Sequence, residues 1–525
     1  MPFSDLRSWI GHLEKRGHLA KISESVDWKF ELGAIMRKGW DEYGDACPAM
    51  LFENIKDYQP PRPNKVFVGT LQSFARIAMM MDLPPKTGPK ALVKEYRKRS
   101  KNLIKPKVVK TGPCKENILL GKDVDELKFP VPWWNLRDGN RYIGTLHAVV
   151  TKDPDTGWVN VGNYRMMSID AKKTGISAIP GWQHIGYIYA KHIEREEKME
   201  VAVALGLDPV ISFVAAAPLP TGVSEYDVAG GINRKPVELV KCETVDLQVP
   251  ATAEVVLEGT VDPRERHLEG PFGEFTGYYG SIAVPKAVFR IKCITHRDDP
   301  IFQGTCEGYP VNEDHAISSI VRTAYAWDVL EAAAIPGIKD IACPLSSGGY
   351  GDANISIKPT VEGHEDWIAS VLWGSSGGFW AYKRVIVVDE DIDPWNGDQV
   401  NFAIFSRVKA SEDVKIWKDM RGHPLDPRVD PEHKGFMDRW LIKATRPYEW
   451  KPRTIWGTDG VDKGIPLKFP PLVRPSADMM RRVNKRWASL GIKPAKDYSG
   501  SPVGMFRHFW DPEMIEKVER LEITP

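Results

Sequence analysis

Leu6, Trp9, Ile10 and Leu13 recur at the spacing of one helical face behind Ser4, a plausible cap, so the chain opens with an amphipathic helix over residues 4–16. A second helical pattern covers Leu92 to Ser100, with a short strand, Lys65 to Gly69, before it. Beyond about residue 140 the pattern changes to closely spaced strand candidates. These are Thr145 to Thr151, Val201 to Leu205, Val237 to Cys242, Ala253 to Val261 and Val288 to Thr295, many β-branched and ending in Gly, Pro or Asp. They suit a compact β-barrel or sandwich. Asp314 to Ala334 then holds good helix formers without glycine or proline and stops before Pro336-Gly337, as a long helix joining two domains does. After it, helical His364 to Trp373, a buried strand Arg384 to Val388 and helical Gln399 to Arg407 alternate, the signature of an α/β domain. The last ~80 residues, rich in Trp, Pro and Arg, read as an arm that docks on a second subunit.

A chain of 525 residues is too long for one ordinary core, and 42% hydrophobic with 27% charged residues fits a soluble globular protein of two or three domains. A formal net charge of +1 removes the global electrostatic argument for nucleic acid. One local exception is Lys94 to Lys110, with eight basic residues and one acid. It reads as a solvated helix end running into a linker, or as a contact for an anionic substrate tail or another subunit. Six scattered cysteines without C-x-x-C or zinc spacing favour reduced thiols and a cytoplasmic location. The N-terminus lacks a signal-peptide core, and no apolar run approaches the ~18 residues of a membrane span.

The stretch with most chemistry is HLEGPFGEFTGYYG, His267 to Gly280. Glu269 and Glu274 flank Gly270, Pro271 and Gly273, a composition that predicts a tight turn and not a continuous helix. Such a turn can hold two acids in one pocket with coupled protonation, an arrangement suited to proton transfer. Taken alone, the pair reads better as two solvated glutamates on a surface turn.

Four segments together change that. WVNVGNYR (Trp158 to Arg165), GWQHI (Gly181 to Ile185), PLPTGVSEYDVA (Pro218 to Ala229) followed by Val240 to Gly259, and the LEGPFGE turn occur in one order and spacing. In these the chain resembles the UbiD family of prenylated-flavin-dependent decarboxylases, over roughly residues 5–445. The resemblance implies a mixed α+β fold with a central split β-barrel flavin-binding domain, a small N-terminal α/β region, the linking helix and a C-terminal α/β domain. The corresponding boundaries are 1–115, 116–312, 313–336, 337–445 and an arm, 446–525. It implies an ionic network of Arg165, Glu269 and Glu274, with Glu274 the proton donor to the carbon that loses CO2. It implies a metal set of Asn160, His184 and Glu225 for Mn2+ or Mg2+, bridging to the phosphate of prenylated FMN, and a potassium ion nearby. The oxygen-rich donors with one imidazole suit those metals better than tetrahedral zinc. The resemblance also implies that Gln183 contacts the flavin and that Lys383 approaches its phosphate, though Lys383 reads nearly as well as a surface lysine at a strand entrance. The acids Asp389, Glu390, Asp391 and Asp393 are read as turn chemistry, and the glycines near Gly348 and Gly374 as loops, since no Lys-Ser/Thr follows them.

The implied reaction is a reversible decarboxylation through a covalent adduct of substrate and prenylated FMN, because a ring-bound carboxylate leaves an electron pair that no ordinary side chain can accept. A flavin prenyltransferase would supply the cofactor, and a homodimer or homohexamer is the implied assembly. An aromatic, heteroaromatic or polycyclic acid ranks first as substrate and an aryl-CoA thioester second, with Tyr309, Pro310 and residues 435–445 expected near it. Phe436, Met437 and Trp440 read either as a lid over an aromatic ring or as packing between domains. From another class, an FMN-dependent oxidoreductase on a split barrel remains the rival.

Overall fold

The computed structural model describes residues 3–181, 183–280, 282–430, 435–451, 469–493 and 512–523. The chain divides into two compact units: Met1–Tyr325 with Leu345–Tyr350 and His423–Gly435, and Ala326–Pro344 with Gly351–Gly422 and Phe436–Pro525.

In the first unit the opening helix is Leu6–Lys15, and Asp5 caps it in place of Ser4. The Asp5 carboxylate accepts from Ser8 N while the Ser8 hydroxyl accepts from Asp5 N, so both ends of the capping box are made. Leu6, Trp9, Ile10 and Leu13 are its buried face. A four-stranded sheet follows, Leu19–Ile22, Ala49–Phe52, Lys65–Val68 and Ile301–Gln303, the last strand arriving from far along the chain.

The larger sheet carries the site. Its order is Tyr142–Gly144, Met166–Asp170, Lys173–Ile176, Val284–His296, Val255–Glu269, Met199–Leu205, Ala148–Lys152 and Val159–Gly162, with Asn117–Leu120 also pairing Val284–His296. Met166–Asp170 and Val159–Gly162 lie near opposite ends of this order, yet only residues 163–165 join them. Flat strands would hold those two about 29 Å apart, and so short a link reaches at most about 14 Å. The sheet must therefore curl, and it is a half-barrel in a mixed α+β fold. Tyr142, Met166, Met167, Ile176, Val203, Leu257 and Phe289 contribute to its core.

The strand expected over Ala253 to Val261 runs on to Glu269. Its pairing with Val284–His296 shifts register between Val261 and Arg266, so that Glu269 stands opposite Val284. The basic run ends the helix Pro89–Ser100 and continues as an extended segment, with Lys105 paired to Asp227 and Arg99 to Glu95.

In the second unit, Ile338–Ala342, Asp352–Ile357, Arg384–Asp389, Phe436–Ala444 and Val414–Arg421 form a five-stranded sheet in that order. The segment read as a lid or packing surface, with Phe436, Met437 and Trp440, is thus a strand inside this sheet. Arg407 binds Asp389 and Asp391, and Arg446 binds Asp391, so arginines answer the acidic cluster. The helix Glu313–Ala332 contains the boundary between the units. The six cysteines are free, and no helix among the described residues is long and apolar enough to cross a membrane. Much of the arm after residue 446 lies outside the described residues, as does Trp182 of the GWQHI segment.

Candidate active site

Glu269 is the last residue of its strand, and the chain leaves it through Gly270 at φ 96°, a conformation that favours glycine. Glu274 follows at the head of a small hairpin in which Gly273 bridges Tyr279 and Glu274 N donates to Tyr278 O at 3.0 Å. Arg165, from the link that closes the half-barrel, meets both acids. Its Nε and Nη2 donate to Glu269 Oε1 and Oε2, each at 2.9 Å, and Nη1 donates to Glu274 Oε1. Glu269 is fully buried, Glu274 nearly so, and the Arg165 side chain is 15% exposed.

The two acids are held differently. Both Glu269 oxygens take a guanidinium N–H, and the Tyr142 hydroxyl lies 3.0 Å from Oε1. Glu274 Oε2 has no hydrogen-bond partner among the described residues. Burial works against the charge of Arg165, but the adjacent Glu269 outweighs it and moves the pKa up. Burial and then Glu269 push the Tyr142 phenol up, so it stays a neutral donor. Two glycines leave the acids their space: a Cβ at Gly175 would stand 3.0 Å from Glu269 Cγ, and one at Gly280 would stand 2.8 Å from Glu274 Cγ.

A second cluster adjoins the first in sequence. Asn160, on strand Val159–Gly162, donates from Nδ2 to Glu225 Oε1 at 3.2 Å, and Val161 N donates to Glu225 Oε2 at 2.7 Å. Glu225 opens the helix Glu225–Asn233 and His184 opens the helix His184–Glu194, behind the exposed Gln183. The start of the His184 helix is tied to Asn160 through Tyr164, whose hydroxyl donates to Asn160 Oδ1 at 2.9 Å and accepts from Ile185 N at 3.4 Å. Trp158 stacks edge-on against the His184 ring at 4.8 Å and donates to Val223 O, just before Glu225. His147, fully buried, donates from Nε2 to the Tyr164 carbonyl at 3.0 Å.

Burial pushes the Glu225 carboxyl up to about 8, and among the described residues no lysine or arginine pairs with it. Burial also lowers the His184 imidazole, which favours the neutral form that ligates metals. A buried acid at a helix start that accepts from the Asn160 amide is the kind of oxygen donor a divalent cation takes. Among the described residues no group of three or more His, Cys, Asp or Glu could hold a metal ion.

Lys383 precedes the strand Arg384–Asp389 in the second unit, and its carbonyl accepts from Trp440 N. Tyr309 is exposed. Sequence reasoning missed Tyr142, Tyr164, His147 and Asp138, which are single residues brought in by tertiary contacts.

The chain matches family models described as the N-terminal, Rift-related and C-terminal domains of 3-octaprenyl-4-hydroxybenzoate carboxy-lyase, over residues 10–96, 107–310 and 315–444. It is 31% identical over 506 residues to the pyrrole-2-carboxylic acid decarboxylase of Pseudomonas aeruginosa, covering 94% of this chain and 99% of that one. The structure resembles the closed form of vanillic acid decarboxylase from Sedimentibacter hydroxybenzoicus, with a TM-score of 0.81 and 31% identity over 93% of this chain and 99% of that one. It also resembles an evolved dimeric form of the UbiD-class enzyme HmfF from Pelotomaculum thermopropionicum in complex with prFMN, with a TM-score of 0.73 and 28% identity over 87% and 99%. The chain belongs to the UbiD family and is a carboxy-lyase.

Proposed function

We propose that this enzyme removes CO2 reversibly from an aromatic or heteroaromatic carboxylic acid with the help of prenylated FMN, and that Glu274 donates the proton that replaces the carboxylate. The observation that carries this reading is the unequal hold of Arg165 on its two acids. Glu269 is gripped through both oxygens, whereas Glu274 is held through one and keeps Oε2 free to carry a proton. A bidentate guanidinium fixes direction as well as charge.

When bound, the cofactor would supply an electron sink for the pair left behind when CO2 departs, which no side chain of this site can offer. The bond from ring carbon to carboxylate breaks, CO2 leaves, and the electron pair it leaves behind takes the proton from Glu274 Oε2. Glu274 then stands as a carboxylate and regains a proton from solvent. Arg165 stabilises that anionic form, and Glu269 with Tyr142 keeps the guanidinium in place. Asn160, His184 and Glu225 would hold Mn2+ or Mg2+, which neutralises phosphate oxygens of the flavin; a potassium ion and Lys383 belong to the same reading. Prenylated cofactor would come from a flavin prenyltransferase, and self-association as a dimer or hexamer is part of the proposal.

Vanillic acid and pyrrole-2-carboxylic acid, named for the relatives, are the first substrates to try. The test is to co-express the chain with a flavin prenyltransferase and screen CO2 release against aromatic acids and their CoA esters. Release from a ring acid, with deuterium from D2O on the carbon that carried CO2, supports the proposal. A holoenzyme that carries prenylated flavin but releases CO2 from none of them refutes the substrate class.

A further inference from the structure

The four residues between the two glutamates are held by the loop of residues 133–141, and its central contact is made by one buried acid. Asp138 Oδ1 accepts from Gly273 N at 2.9 Å, the amide next to Glu274. Its Oδ2 accepts from Asn135 N at 2.9 Å, and its carbonyl accepts from Trp133 Nε1 at 2.9 Å. The next residue, Gly139, donates from N to Pro271 O at 2.8 Å. A Cβ at Gly139 would fall 2.2 Å from Gly270 O, so the two backbones touch here. Asn135 Nδ2 in turn donates to Glu307 O at 3.1 Å, which ties the loop to a third segment.

From this geometry we infer that Asp138 is a positioning residue for the proton donor: through the Gly273 amide it sets where the Glu274 carboxyl stands relative to Arg165. The inference rests on the reading of Glu274 as the donor. Burial pushes the Asp138 carboxyl up to about 6, so holding it ionised above that pH works against folding. A neutral side chain would avoid that cost. What the acid provides in return is two acceptors for two backbone amides that have no other acceptor among the described residues, on a turn where displacement by an ångström matters. Arg165 lies within electrostatic reach of Asp138, so three acids share one guanidinium.

The experiment pairs two variants with two readouts. Asp138→Ala removes both acceptors, while Asp138→Asn keeps a carbonyl oxygen for Gly273 and loses the acceptor for Asn135. Amide hydrogen exchange of the peptide 267–280 reports the turn directly, whatever the substrate. Exchange there is expected to quicken in the order wild type, Asn, Ala. In the holoenzyme kcat should fall in the same order, by about 10- to 100-fold for Ala, with KM and bound flavin within about twofold. Unchanged exchange, or quickened exchange with unchanged kcat, overturns the inference; equal loss in both variants without a change in exchange does the same. If Ala yields no folded protein, Asn alone decides, on the same two readouts. Quickened exchange in a holoenzyme whose wild type turns over no aromatic acid would remove the proposed function and leave the turn contact standing.

Discussion

The Tyr164 hydroxyl donates to Asn160 Oδ1 at 2.9 Å, and Tyr164 is the residue directly before Arg165. One short segment therefore serves both the ionic network and the candidate metal set. Tyr164→Phe should lower retention of divalent metal and flavin together, at a stability cost of about 1 kcal/mol for the lost hydrogen bond. Metal analysis and the flavin spectrum of the purified variant test this; normal content of both would separate the two clusters.

His184→Ala and Glu225→Gln should each strip metal and cofactor while the protein stays folded. Glu225→Gln removes a buried acid that has no basic partner among the described residues and must take up a proton on folding below about pH 8, so its Tm in the metal-free form should equal or exceed that of the parent. A lower Tm in the absence of metal would contradict the account of Glu225 as an uncompensated acid.

Glu274→Gln keeps the size and the contact to Arg165 but cannot give a carboxylic proton. Turnover should drop about 100- to 10,000-fold, the range of a positioned general acid, with flavin binding preserved. Full activity in this variant would rule out the donor role.

Arg165→Lys keeps a positive charge but lacks the planar fork that reaches Glu269 twice, and activity should be lost almost as fully as in Arg165→Ala. The Ala variant leaves Glu269 buried without its cation, a cost of roughly 3–5 kcal/mol. Thermal denaturation compares the two, and near-native activity of Arg165→Lys would argue against the fork.

In the first unit, the buried His147 and the half-buried His423 work against folding in acid. Burial lowers His147 from 6.5 to about 4 and His423 to about 3. A depressed folded pKa means that the unfolded chain takes up protons first. The stability present above pH 6.5 is thus lost as pH falls toward 4 and then 3. Buried carboxyls such as Asp138 and Glu225, raised by burial, act in the opposite sense over this window, so the prediction is a difference: from about pH 7.5 to about pH 4.5, Tm should fall less, or rise more, in His147→Gln than in the parent. Parallel profiles in the parent and the variant would exclude His147.

Most elements were legible from periodicity because apolar spacing is a local signal. The helix Leu6–Lys15 and the strand Arg384–Asp389 lie within a residue or two of their expected limits. The strand that ends at Glu269 ran past its expected end at Val261, since Pro263 to His267 is charged and half-solvated and shows no alternation. The acid turn was readable because glycine and proline announce it. Asp138 and Tyr142 were not, because nothing in DGNRY says which distant backbone its carboxylate and phenol will meet. Phe436 to Ala444 was read for its aromatics, while its role follows from the strands on either side of it.

The surplus residues between Val261 and Arg266 also decide which way Glu269 faces. In a ladder of alternating sides, trimming one residue from that bulge would swing the acid outward and leave Arg165 with half its partners. The enzyme could be silenced there by changing chain length alone, with every residue of the site still present.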